Sequence, residues 1–414
     1  MARPRLLGNL RARGEACAAA PFTRRPGRGS LREVTPAARH ALLYAAQFFA
    51  FGVILPFLPA VLAARGLDPA EVAAVLAAGS AVRLIAGPLG GRLADALSAP
   101  RAVLGLAAAA AALGAAGFLL AAGFLLLLLV HVALSLAIAP IVPLSDAATL
   151  GAIRRHGFDY GRVRSAGSVA FILAALLAGQ AVARLGMDAA VMLIVLGLAG
   201  TAGAALLLPA GEPANAPGGG VRGLRAFLAP LGIPALRRLL VVSALIQGSH
   251  AFYYAFGTIH WQAAGLGAGL IGALWATGVV AEIALFFWGR GVVARLGPLG
   301  LSLLAAGAGV LRWGATAVTT DPLLLFPLQL LHAATFGAQH LATMQVLGRV
   351  VPPAQAGTAQ TLHASLGTGL SMGVLTLACG PLYAAFGGGG YWAMAALCLA
   401  AVPATVSLGR AVNG

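Results

Sequence analysis

The chain has 414 residues, of which 60% are hydrophobic and only 9% charged, with a mean hydropathy of +0.91. A soluble chain carries about 25% charged residues, so this composition excludes a soluble globular protein and makes the bilayer the solvent. The net charge of +16 would suit a nucleic-acid partner, but all 27 basic residues are arginine and their placement gives them another role.

Residues 1–38 are arginine-rich with scattered Pro and Gly, too polar to span a bilayer and too poor in apolar residues for a core. They read as a disordered cytoplasmic arm; a transit peptide is the sharper alternative. From residue 41, runs of about 20 mainly apolar residues recur almost to the C-terminus. They predict twelve helices at roughly 41–63, 70–91, 101–121, 124–150, 162–183, 188–209, 237–261, 269–290, 298–319, 322–348, 354–384 and 390–409.

With the N-terminus placed in the cytoplasm, 23 arginines fall in inside segments and only Arg65 and Arg184 in outside loops, while Arg83 and Arg312 lie within spans. Leaving out the arginines up to Arg39, the balance is still 14 to 2, so the positive-inside rule predicts an even helix count with both termini cytoplasmic. The basic balance is a topological signal and implies no nucleic acid. Residues 211–236 are the longest polar interruption after the arm, with six spans on either side. Bundles at 39–210 and 237–414 joined by a cytoplasmic linker are the layout of transporters that rock two halves around a central site. The expected unit is a monomer in a bacterial inner membrane.

An ionisable group in mid-bilayer costs about 2.5 to 3.5 kcal/mol on insertion scales, which makes it a functional candidate. In the eighth predicted span Glu282 sits among Val279, Val280, Ile283 and Leu285, placed to carry a proton. Arg312 in the ninth lies within roughly 5 to 10 Å of it in depth at 1.5 Å per residue. A direct pair is expected, in which proton loading of Glu282 frees Arg312 for a substrate carboxylate; a buried pair that only fixes packing is the alternative. Arg83 lies midway along the second span with Ser80 and Gly87 on its face, to bind an anion or close a helix contact.

The seventh span carries a polar stripe, Gln247, His250, Tyr254, Thr258 and Trp261, and the tenth a row of His332, Thr335 and Gln339 flanked by Phe336 and His340. Such faces are expected to line a cavity, with Trp275 adding an aromatic wall and Trp261 an alternative role as interfacial anchor. Gly87 with Gly91, and Gly369 with Gly373, are spaced for close helix approach. Cys17, Cys379 and Cys398 give neither a disulfide framework nor a metal spacing. No Gly-rich phosphate loop with Lys and no metal cluster occurs, so neither an enzyme nor a cofactor or metal is expected. A proton entering across 100 mV supplies about 2.3 kcal/mol, enough to drive uptake.

Gly91 to Asp95, followed by Arg101, resembles the hallmark Gly-x-x-x-Asp turn and basic loop of the major facilitator superfamily, with Ala96 and Ser98 departing from its usual residues. Pro143 to Ala147, Asp159 to Arg164 leading to Gly167–Phe171, and Leu274-Trp275 through Glu282 resemble the phenylpropionic-acid transporter branch, related to the oligosaccharide and nucleoside proton symporters. The resemblance covers residues 40–410. It implies an all-α fold of two six-helix bundles and proton-coupled uptake of a small molecule, with an aromatic monocarboxylate as the substrate class. It also implies an acid, an Arg and a His, here His332 or His340, in coupling, and a gating role for the Gly91–Asp95 turn with Arg101; by their position at the cytoplasmic ends, Asp146, Arg162 and Arg164 read as a gate or packing network in the same way. Sugar, nucleoside or drug movement, including efflux, is the second reading, and a non-transporting membrane sensor the third.

Overall fold

The computed structural model describes residues 35–209 and 224–413. Most of the expected arm, with Cys17, and the first half of the expected linker lie outside the described residues. Apolar sequence in hydrocarbon must satisfy its own backbone hydrogen bonds, and a helix does so within one segment. The described residues form helices and no strand: α1 (Pro36–Ala64), α2 (Pro69–Ala96), α3 (Pro100–Ala116), α4 (Phe124–Ile138), α5 (Ile141–His156), α6 (Tyr160–Leu185) and α7 (Asp188–Leu207). After the gap come α8 (Leu224–Leu228), α9 (Pro234–Gly248), α10 (Ala251–Ala263), α11 (Ala268–Trp288), α12 (Arg290–Thr316) and α13 (Pro322–Leu330). The chain ends with α14 (Gln339–Val350), α15 (Ala356–Leu362), α16 (Ser371–Phe386) and α17 (Tyr391–Asn413).

Each of the predicted spans overlaps one of these helical runs. Among the described residues, ten stretches are long and apolar enough to cross a membrane, by length and composition. One of them, Pro353–Val412, has 60 residues. Unbroken it would be about 90 Å long, three times the hydrocarbon thickness, but the turn Gly387–Gly390 divides it. The run α13–α14 is not among the ten; a π-helical segment, Ala333–Ala338, interrupts it.

Breaks fall where the sequence cannot continue a helix. Pro140, without an N–H, separates α4 from α5, and Gly297 at φ 61° sits inside α12 directly before Pro298. Most loop carboxylates serve as caps. Asp68 and Glu71 form a reciprocal capping box at α2, with Glu71 N–H on Asp68 Oδ1 at 2.8 Å and Asp68 N–H on Glu71 Oε2 at 3.0 Å. Asp159 caps α6 by accepting the Arg162 N–H and Asp321 caps α13 by accepting the Leu323 N–H, each without the reciprocal bond.

Helices α1–α7 meet α9–α17 chiefly through three pairs: α6 with α11, α2 with α16, and α1 with α10. The first pair is antiparallel and glycine-lined. A Cβ on Gly272 would collide with the Ala175 carbonyl oxygen, and one on Gly179 would lie 2.6 Å from that of Ala268. In the second pair a Cβ on Gly380 would lie 2.8 Å from the Pro69 carbonyl oxygen. These contacts sit at the C-terminal half of α6 and the N-terminal end of α2, opposite the end that bears Arg92, Arg162 and Arg164. The close approaches thus differ in part from those expected: Gly369 is tight against Leu84, but a Cβ on Gly91 would meet open space and one on Gly87 only ordinary contact, while Gly90 presses on Pro140.

Candidate functional site

The charged centre is assembled from α10 to α13 and the π segment. Arg312 is fully buried and donates from Nη1 to His332 Nδ1 (3.1 Å) and Thr335 Oγ1 (3.0 Å), and from Nη2 to Gln329 Oε1 (2.9 Å). Its guanidinium carbon lies 4.4 Å from the Trp313 ring centroid and 5.0 Å from that of Tyr253. Neutral acceptors and aromatic faces therefore hold this cation, with no carboxylate of the described residues in contact. Gln329 Oε1 also accepts from Tyr253 O–H (3.1 Å), and Tyr253 stacks on Trp275 at 4.3 Å, whose Nε1–H donates to Thr258 Oγ1 (3.1 Å).

His332 stands between Arg312 and Glu282. A guanidinium only donates, so His332 Nδ1 must be the lone-pair nitrogen and Nε2 must carry the proton. That N–H faces Glu282 Oε2 at 3.8 Å, just beyond hydrogen-bond reach. The direct Glu282–Arg312 pair expected from residue counting is thus replaced by carboxyl, imidazole and guanidinium in series. Phe336 stacks on the His332 ring at 5.2 Å. The π segment adds a residue to its turn and rotates the helix beyond it by about 100°. His332 faces α11 while Gln339 donates to Ser243 Oγ on α9 (3.3 Å). His340 is exposed, eight residues and about 12 Å along the run from His332, so it does not join the centre.

The polar stripe of the seventh predicted span faces inward rather than into a cavity. His250 sits at the break between α9 and α10 with Nε2 at 3.1 Å from Thr335 Oγ1, and Gln247, Thr258 and Trp261 are buried, which removes Trp261 as an interfacial anchor. Tyr254 alone of that stripe reaches a cavity of about 120 Å³, which Arg83, Ser80, His131 and Thr376 also line. Arg83 Nη2 donates to Ser80 Oγ at 3.1 Å, as the spacing of three suggested. His131, Gln329 and His363, none singled out from the sequence, are all buried polar residues, the first two in apolar runs. The rule that selected Glu282 would have found His131, which stands alone in Leu- and Val-rich α4.

Among the described residues the expected gate forms no ion pair. Asp146 accepts from the hydroxyls of Tyr44 and Tyr160 (the latter 3.3 Å), and Arg164 lies over the Phe48 ring at 3.9 Å. Asp95 and Arg162 are exposed, and Arg101 is half-buried on the first turn of α3. Glu282 lies ten residues beyond Gly272 on α11, and Arg164 eleven before Ala175 on α6, so the antiparallel register sets them opposite each other. They form no ion pair here, and the tight glycine contacts between α6 and α11 lie towards the other end.

The model of the MFS_1 like family matches residues 38–394. A probable 3-phenylpropionic acid transporter of Escherichia coli (strain K12) is 34% identical over 370 residues, covering 87% of this chain and 95% of that protein. The maltose permease of Geobacillus stearothermophilus is 29% identical over 348 residues, covering 82% and 86%. In fold, the crystal structure of the nucleoside transporter NupG superposes with a TM-score of 0.77 at 17% identity, over 91% of this chain and 99% of that one. An all-helical chain with this many apolar spans, matched along most of its length by such relatives, is a multi-pass membrane protein that belongs to the MFS_1-like family of major facilitator transporters.

Proposed function

We propose that this transporter moves a small organic solute, with aromatic monocarboxylates as the first class to test, by proton symport and alternating access in a bacterial inner membrane. The proposal includes twelve spans, both termini cytoplasmic, and six-helix bundles at 39–210 and 237–414. The observation that carries it is the isolation of Glu282. Among the described residues the other acids cap helices (Asp68, Glu71, Asp159, Asp321), pair with Arg65 (Asp188), bond tyrosines (Asp146) or sit exposed at a helix end (Asp95). Glu282 alone lies within a span with neither cap nor arginine ion pair, its Oε2 facing the His332 N–H.

Charge bookkeeping then fixes what travels together. With Glu282 ionised, its charge offsets that of Arg312 through His332. Protonation adds one positive charge to the protein's interior, and a bound monoanion cancels it. The loaded and empty centres carry the same net charge, so one proton with one monocarboxylate moves no charge across the membrane. Arg164, opposite Glu282 in register, supports a coupled gate: closing the arginine-rich end would bring it to the ionised carboxylate. The 29% likeness to a maltose permease favours a sugar as the second reading, in which the proton does carry net charge.

Proteoliposomes with an imposed pH gradient test this. A monocarboxylate such as 3-phenylpropionate is expected to accumulate with matching proton movement, unaffected by a potassium–valinomycin potential. No solute-dependent proton flux with any monocarboxylate, sugar or nucleoside would overturn proton symport, and potential-driven uptake of a sugar would select the second reading.

A further inference from the structure

The two arginines within the spans differ in what they can still bind. Arg312 is sealed: Gln329, His332 and Thr335 take hydrogen bonds from its two terminal nitrogens, and the unpartnered Nε is buried out of a solute's reach. Arg83 is exposed to the cavity where α1, α2, α4, α10 and α16 converge, and among the described residues its side chain has one hydrogen-bond partner, Ser80, and no carboxylate. A guanidinium has five N–H donors. A cation at this depth without a counter-charge is costly unless something anionic visits it.

A second group in the same cavity points to the same visitor. His131 on α4 is 3% exposed, and its Nδ1 has no hydrogen-bond partner. Its Nε2 lies 3.5 Å from Ser135 Oγ, a hydroxyl that can donate to it and leave the proton on Nδ1. The chain makes room for this imidazole. A Cβ on Gly79 would run into the His131 ring and Ser135 Oγ, so only glycine fits at the position four before Arg83, on the same face of α2. The opposite wall is apolar, from Leu55, Leu58, Leu76 and Met372, with Tyr254 reaching in from α10.

We propose that Arg83 and His131 seat the carboxylate of a small organic monoanion, with Arg83 offering its planar pair of N–H donors and His131 the Nδ1–H. This rests on the reading of the chain as a solute transporter and moves the carboxylate from Arg312, where the sequence suggested it, to the first bundle. One fixed cation with neutral donors matches one negative charge rather than a phosphate dianion. A volume of about 120 Å³ holds about four waters' worth of ligand, a carboxylate and a few carbons, with the remainder of the molecule against Tyr254.

The test is equilibrium binding to the purified full chain in nanodiscs, using acetate, benzoate and 3-phenylpropionate, with 3-phenylpropanamide as the neutral isostere. Wild type is expected to bind 3-phenylpropionate at least tenfold tighter than the amide. Arg83→Gln is expected to erase that preference by weakening 3-phenylpropionate far more than the amide, and His131→Gln to reduce it several-fold. Arg83→Lys, which keeps the charge without the fork, falls between and guards against a folding artefact, as does the thermal midpoint of each variant. A wild type that binds none of the carboxylates, or an Arg83→Gln protein that keeps the full preference, overturns the seat. If the wild type shows proton-coupled sugar flux but no carboxylate binding, the seat fails while the transporter reading stands.

Discussion

Glu282→Gln is expected to abolish uphill accumulation while leaving exchange of solute across a symmetric membrane intact. The substitution keeps the size and hydrogen-bonding capacity of the side chain but fixes it in the neutral state that a proton would otherwise confer. A carrier whose coupling group is permanently neutral can still bind and release solute on both sides, because the Arg83 cavity and the Tyr254 ring that reaches into it are untouched. What it loses is the requirement that a proton accompany each inward passage. One pH unit supplies about 1.4 kcal/mol, a tenfold gradient for one proton per solute. Wild type should therefore approach tenfold accumulation per unit of imposed gradient and the variant should settle at one, measured with radiolabelled solute in proteoliposomes. Counterflow in the same vesicles separates loss of coupling from loss of folding. Accumulation unchanged from wild type would remove Glu282 from the mechanism.

The helices were legible because a bilayer leaves a sequence little choice: apolar runs of span length have to be helical, and polar residues within them have to be satisfied inside the protein. Depth was legible too. Counting residues placed Glu282 and Arg312 at similar levels, and both belong to one charged centre. What counting cannot supply is direction around each helix axis once the α-period is broken. The π segment at Ala333–Ala338 is such a break, and it turns His332 into the space between the acid and the arginine while sending Gln339 to Ser243. The stripe of Gln247, His250 and Thr258 misled for a related reason. The break at Ser249–His250 and the density of partners on neighbouring helices let His250 bond Thr335 and Thr258 bond Trp275, so the face that looked cavity-lining is a buried seam. The spacing of Gly91 suggests close packing, whereas closeness depends on which neighbour lies opposite; at Gly90 that neighbour is Pro140.

Gly272→Leu should trap the transporter with its closed end propped open. The Ala175 carbonyl oxygen already occupies the space a Cβ at 272 would need, and a backbone oxygen in an intact helix cannot turn aside as a flexible side chain would. Three further carbons can be admitted only if α6 and α11 part at this end. Antiparallel helices that rock about a mid-membrane pivot then approach at the other end, where Arg164 and Glu282 face each other across the gap. Transport should fall by at least 100-fold, because a carrier held in one state cannot complete its cycle. Gly161 and Phe286, both exposed here and in register on the facing sides of α6 and α11, report the approach. In a chain without its native cysteines, Gly161→Cys with Phe286→Cys should cross-link poorly alone and readily once Gly272→Leu is added. Gly179→Leu, a wedge from the opposite helix against the Ala268 carbonyl oxygen, should give the same pattern. Uptake at the wild-type rate, or cross-linking unaltered by either wedge, would mean that these glycines mark static packing and that the two halves pivot elsewhere.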